Sequence, residues 1–72
     1  MKDATRTIRI VDFQTNPDAE REIRIALAKC HVDSDTVDWF KKDYGIVIVC
    51  QVRHNEAARL ETLIGNIDGA TY

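Results

Sequence analysis

Apolar positions along the chain switch repeatedly between two periods. From Thr5 an alternating run places Ile8 and Ile10 on one face and Arg9, Val11 and Phe13 on the other, which predicts a first strand. Asn16-Pro17-Asp18 then reads as a helix start: Asn16 suits the cap, Pro17 the first helical position, and Asp18 and Glu20 the positive end of the dipole. Ala19, Ile23, Ala26, Leu27 and Cys30 follow at helical spacing, with Ile25 at the margin of that stripe. After a polar connection from His31 to Asp35, Val37 to Phe40 alternate again as a second strand. Lys41 to Gly45 is the expected hairpin turn, and the β-branched run Ile46 to Arg53 is the expected central strand. Asn55 is the expected cap of a second helix, with Ala57, Leu60, Leu63 and Ile64 as its stripe and Gly65-Asn66 as its end. Ile67 to Tyr72 has the pattern of a short fourth strand, weakened by Gly69. Met1 to Ala4 is a polar lead-in.

Read in order, these elements are β-α-β-β-α with a final β, the split βαβ or ferredoxin-like plait of the α+β class. The expectation is a mostly antiparallel four-stranded sheet with two helices on one face. At 72 residues the chain makes a single domain, close to the smallest size that sustains its own core. Its 44% hydrophobic and 31% charged residues fit neither a disordered chain nor a membrane protein. The longest apolar stretch, Ile46 to Cys50, is far too short to span a bilayer, and no apolar segment follows Met1. The expected location is therefore cytoplasmic, where Cys30 and Cys50 are expected as buried free thiols.

A sheet with helices on one side leaves its other face to be explained. If Ile8, Ile10, Val37, Trp39, Ile46, Ile48, Cys50 and Val52 point toward the helices, the opposite face presents Val11, Phe13, Phe40, Val47 and Val49. Arg9, Asp38, Gln51 and Arg53 surround them. Clustered apolar surface of this kind marks an interaction site, so these five residues are the expected interface with a second copy or a protein partner.

The chain resembles the ACT and ACT-like domains, small regulatory βαββαβ modules of amino-acid metabolism and signalling proteins. The resemblance runs from about Arg6 to Tyr72. It is carried by Ile8-Arg9-Ile10-Val11-Asp12 as first strand, Asn16-Pro17-Asp18 at the helix opening and Tyr44-Gly45-Ile46-Val47-Ile48-Val49 into the third strand. Ile23 to Val32 would form the first helix and its exit, and Leu60 to Ile67 the end of the second. Such domains commonly pair through their sheets and bind an amino acid or similar ligand near the first strand–helix loop. The resemblance thus implies homodimerisation and points to Asp12, Asn16 and Asp18 as polar ligand contacts, with Asp18 where the family often has glycine.

Catalytic and metal chemistry find little footing. Cys30-His31, Cys50 and His54 match no familiar zinc spacing, and nothing places a histidine base beside an exposed thiol. Gly45, Gly65 and Gly69 are too widely spaced to cradle a phosphate. A net charge of −2, with arginines interleaved among glutamates on the helices, argues against nucleic acid. The expected third strand also carries no aromatic on which a base could stack. The expectation is a non-catalytic regulatory or binding module with no cofactor, no metal and no membrane partner. The alternative is a small stand-alone inhibitor or adaptor of phage or plasmid type that covers a partner's surface.

Overall fold

The computed structural model describes residues 4–72. Of the polar lead-in expected over Met1 to Ala4, residues 1–3 lie outside these and Ala4 is exposed. The elements are β1 (Thr5–Asp12), α1 (Ala19–Lys29), β2 (Asp38–Lys42), β3 (Gly45–Arg53), α2 (His54–Gly65) and β4 (Ala70–Thr71). They form an α+β fold with an open sheet in the order β2-β3-β1-β4, every pairing antiparallel, compatible with a ferredoxin-like plait.

The alternation read in β1 and β3 sorts their side chains as expected. Ile8 pairs with Cys50 and Ile10 with Ile48, all buried against Ala19, Ile23, Ala26 and Leu27 of α1 and Ala57, Leu60 and Ile64 of α2. Val52 and Cys30 complete this core, and Val37, Trp39 and Ile46 pack against its margin. Each large aliphatic side chain so buried contributes roughly 1.5–3 kcal/mol by leaving water. A second tie joins the middle of α2 to the end of α1. Arg59 of α2 donates from Nη1 to the carbonyl of Lys29 at 3.3 Å, satisfying an acceptor that the last turn of α1 leaves open.

Several boundaries differ from the sequence reading. Asn16 does not cap α1, whose first helical residue is Ala19 and whose cap position is Asp18. Its side-chain oxygen instead accepts from the Asp18 amide at 3.1 Å, and its carbonyl accepts from Ala19 at 3.0 Å. Asn16 therefore closes a turn just ahead of the helix. Asn55 is likewise inside α2, because β3 runs into the helix without a linker. The His54 amide, one of the donors that the first turn of the helix leaves open, donates to the Ala4 carbonyl at 2.8 Å. The polar connection after α1 holds a 3-10 turn, Ser34–Thr36, capped by the Asp33 carboxylate on the Asp35 amide at 3.0 Å. β2 runs to Lys42, so the hairpin narrows to two turn residues, Asp43 and Tyr44. β4 is only Ala70–Thr71, since Ile67 closes the core and Gly69, at φ +80°, turns the chain.

Gly45 is the least replaceable backbone position. Its φ is +146°, and a Cβ there would collide with the Asp12 carbonyl oxygen on the neighbouring strand. Gly45→Ala is expected to cost more than about 3 kcal/mol in urea unfolding, from strain and forced strand separation. Gly65→Ala is the contrast, since its Cβ would make ordinary contact with the Tyr72 ring at 3.7 Å in an α-helical turn. It should be neutral or stabilise by up to about 1 kcal/mol.

Candidate functional site

The side of the sheet away from the helices is built in rows by strand register. One row is Phe40, Val47, Val11 and Thr71; the next is Asp38, Val49 and Arg9; beyond it lie Gln51 and Thr7. Phe13 extends the β1 column, its amide donating to the Gly69 carbonyl at 2.9 Å. The five expected interface residues therefore share this face, with unequal access. Phe13 and Phe40 are 45% and 46% exposed, and Val49 is half-buried. Val11 and Val47 were expected to be open, yet they are only 7% and 3% exposed in the single chain.

Beside them lies a bridge that sequence reading missed. Arg9 donates from Nη2 to the Tyr44 hydroxyl at 3.0 Å. Arg9 stands one row beyond the Val47–Val11 pair, whereas Tyr44 hangs from the hairpin on the near side. The hydrogen bond thus spans the row that holds the two valines. The two-residue turn that carries Tyr44 follows from Lys42 pairing with Gly45, two residues later than the expected end of the second strand.

The β1–α1 loop brings two of its three expected ligand residues together, and its polar groups hold one another. Asp12 is 3% exposed, and its Oδ1 accepts from the Gln14 amide at 2.8 Å, which holds Gln14 at φ 61°. Asn16 Nδ2 donates to the Asp68 carbonyl at 3.0 Å, pinning the loop to the turn before β4. Asp18 is exposed and pairs with Arg21 at 3.4 Å. Asp12 and Asn16, with Gln14, Pro17 and Glu20, line a shallow concavity of about 280 Å³; Asp18 lies outside it.

Two further concavities lie on the helical side. One, of about 320 Å³, runs between the helices past the half-exposed Ile25, with Ala26, Leu63 and Ile67 in its wall and Glu22 and Lys29 at its rim. The other, about 210 Å³, sits between α1 and β2, where the Arg24 guanidinium lies 4.2 Å from the centre of the Trp39 ring. Among the described residues no three His, Cys, Asp or Glu side chains converge as a metal site. No helix among them is long and apolar enough to cross a membrane.

Cys30 and Cys50 are buried free thiols, as expected. Burial pushes both pKa values up; the Glu56 carboxylate adds to the rise at Cys30 against the opposing Arg59 charge, and Cys30 itself adds to it at Cys50. The Cys50 thiol donates weakly to the Ile8 carbonyl at 3.8 Å. Both groups are therefore poor nucleophiles in the folded chain.

Iodoacetamide should alkylate both thiols at least about 100-fold more slowly in the native chain than in urea. Because their pKa values are raised on folding, the neutral thiols' contribution to stability is complete below the ordinary thiol pKa. It falls as pH climbs through the raised values, and urea midpoints on the alkaline side should show the decline. At the loop, Asp12→Ala should lower stability by about 1–3 kcal/mol in the same assay, because the Gln14 amide loses its acceptor.

Comparison with protein-family models, with curated proteins and with solved structures finds no match for this chain.

Proposed function

We propose that this chain is a ferredoxin-like, ACT-like binding module that regulates or blocks a protein by docking it on the sheet face its helices leave open. The observation that carries this reading is the pair of half-exposed rings, Phe13 and Phe40, flanking the Val11–Val47 row beside the half-buried Val49. Covering a patch of a few hundred Å² at roughly 25 cal/mol per Å² contributes several kcal/mol, a useful part of a protein–protein affinity. The buried, poorly ionising thiols support a role in binding over one in thiol chemistry. The side chains of the β1–α1 loop are engaged with one another and with Arg21, so this reading assigns the binding work to the sheet.

The test is a photo-crosslinking phenylalanine analogue placed at position 40 in the chain's own cells, with the same group at the exposed Ala58 of α2 as control. A defined adduct at position 40 and none at position 58 is the expected result. Equal labelling at both positions, or none at position 40, would overturn the reading. The adduct's mass distinguishes a second copy of the chain from a foreign protein.

A further inference from the structure

We propose that a foreign partner protein adds an extended strand to the β2 edge, and that this strand sets two acidic residues against Lys41 and Lys42 and two apolar ones against Phe40 and Trp39. The inference rests on the docking reading above through Phe40 and gives the chemistry of the partner's segment.

β2 ends the sheet, and its residues are exposed or half-buried. Lys42 and Gly45 flank the two-residue turn, so Lys42, Phe40 and Asp38 direct their backbone groups to β3, while Trp39 and Lys41 direct theirs outward. A strand added at a spacing of about 4.8 Å takes those outward groups, and its side chains alternate in step with those of β2. On the helix side they fall beside Trp39 and Lys41. There the cleft of about 210 Å³ between α1 and β2, walled by Leu27, Val32, Val37 and Trp39, has room for one apolar side chain. On the open side they fall beside Lys42 and the half-exposed Phe40. One occupant thus covers both the cleft and a ring that carries the docking reading.

Charge sets the rest of the segment. Lys41 and Lys42 are exposed neighbours on opposite sides of β2. Among the described residues neither is held in an ion pair or a side-chain hydrogen bond. Opposite charges set across from each other stabilise a strand pair, and like charges destabilise it. Lysines on an edge keep chance strands away. An incoming strand with a carboxylate for each lysine is attracted instead, and Arg24 on the cleft wall adds a third cation on the helix side. Asp38, at the other end of β2, calls for a polar or basic residue there.

Synthetic peptides titrated into the purified chain test this through the emission of Trp39, its one tryptophan. Peptides centred on Asp-Glu-Phe-Val and on the reverse order, Val-Phe-Glu-Asp, cover the two strand directions. One of them is expected to bind saturably, and exchanging its two acids for lysines to weaken binding at least about tenfold. Lys41→Glu combined with Lys42→Glu should invert that preference; if the pair unfolds by circular dichroism, Lys42→Glu alone carries this arm. N-methylation of alternate peptide amides should abolish binding in one phase and spare it in the other, because only every second amide of an added strand faces β2. Failure of both peptides to bind, indifference to the charge exchange, or equal effects of the two N-methylation phases would overturn the proposal. So would a dimer in sedimentation that the peptide does not dissociate, which gives the edge to a second copy. If the peptides fail while position 40 still crosslinks a foreign protein, strand addition falls and the docking reading stands; with no adduct either, both fall.

Discussion

The eight-residue register between β1 and β3 is the constraint on which the rest of the fold depends. Thr5–Asp12 runs against Ile46–Arg53, and on the helix side it brings Ile8 to Cys50 and Ile10 to Ile48. A slip of β1 by one residue would turn Ile8 and Ile10 away from the helices and bring Arg9 and Val11 round to meet them. The core would then hold a guanidinium with no partner, at a cost comparable with the whole stability of so small a domain. Gly45 helps to hold the register, because its bare Cα lets the strand start against the Asp12 carbonyl. The β2–β3 hairpin and the brief β4 pairing are added to the two edges of this central ladder.

The helices close one face of that ladder in a way that also joins them to each other. Their apolar stripes share one core with Ile10 and Ile48, and Arg59 reaches from α2 to the Lys29 carbonyl of α1. The opposite face is managed differently. Among the described residues no element covers it; Val11 and Val47 at its centre are buried, the phenylalanines at its flanks are half-exposed, and Arg9 bonds Tyr44 across it. The face thus combines a buried aliphatic centre with aromatic surface at the rim.

Most of this architecture was legible because period-two and helical spacing are strong over β1, β3, α1 and α2. The inward set, from Ile8 to Val52, followed from alternation alone. The capping residues were less legible. Asn16 and Asn55 have the right chemistry for caps, but backbone partners distant in sequence, such as the Ala4 carbonyl at the start of α2, decide which amides need one. The Arg9–Tyr44 hydrogen bond was not legible either, because it joins residues 35 positions apart in sequence. A loop rich in Asp and Asn looks alike from sequence whether its polar atoms await a ligand or satisfy each other. Here the bonds from Gln14 and Asp18 and the one to Asp68 are what tell the two apart.

The stacking of Arg24 on Trp39 has a practical consequence. Trp39 is the chain's one tryptophan, and it sits at the seam where α1 meets the edge strand β2 rather than in the middle of the core. Its emission is therefore a local gauge. Loosening of α1 from β2 exposes the indole and lifts the guanidinium away, shifting the fluorescence while the β1–β3 ladder and its amide protection stay intact. A fluorescence transition that precedes the circular dichroism transition would consequently report the opening of this seam, and not the loss of the fold.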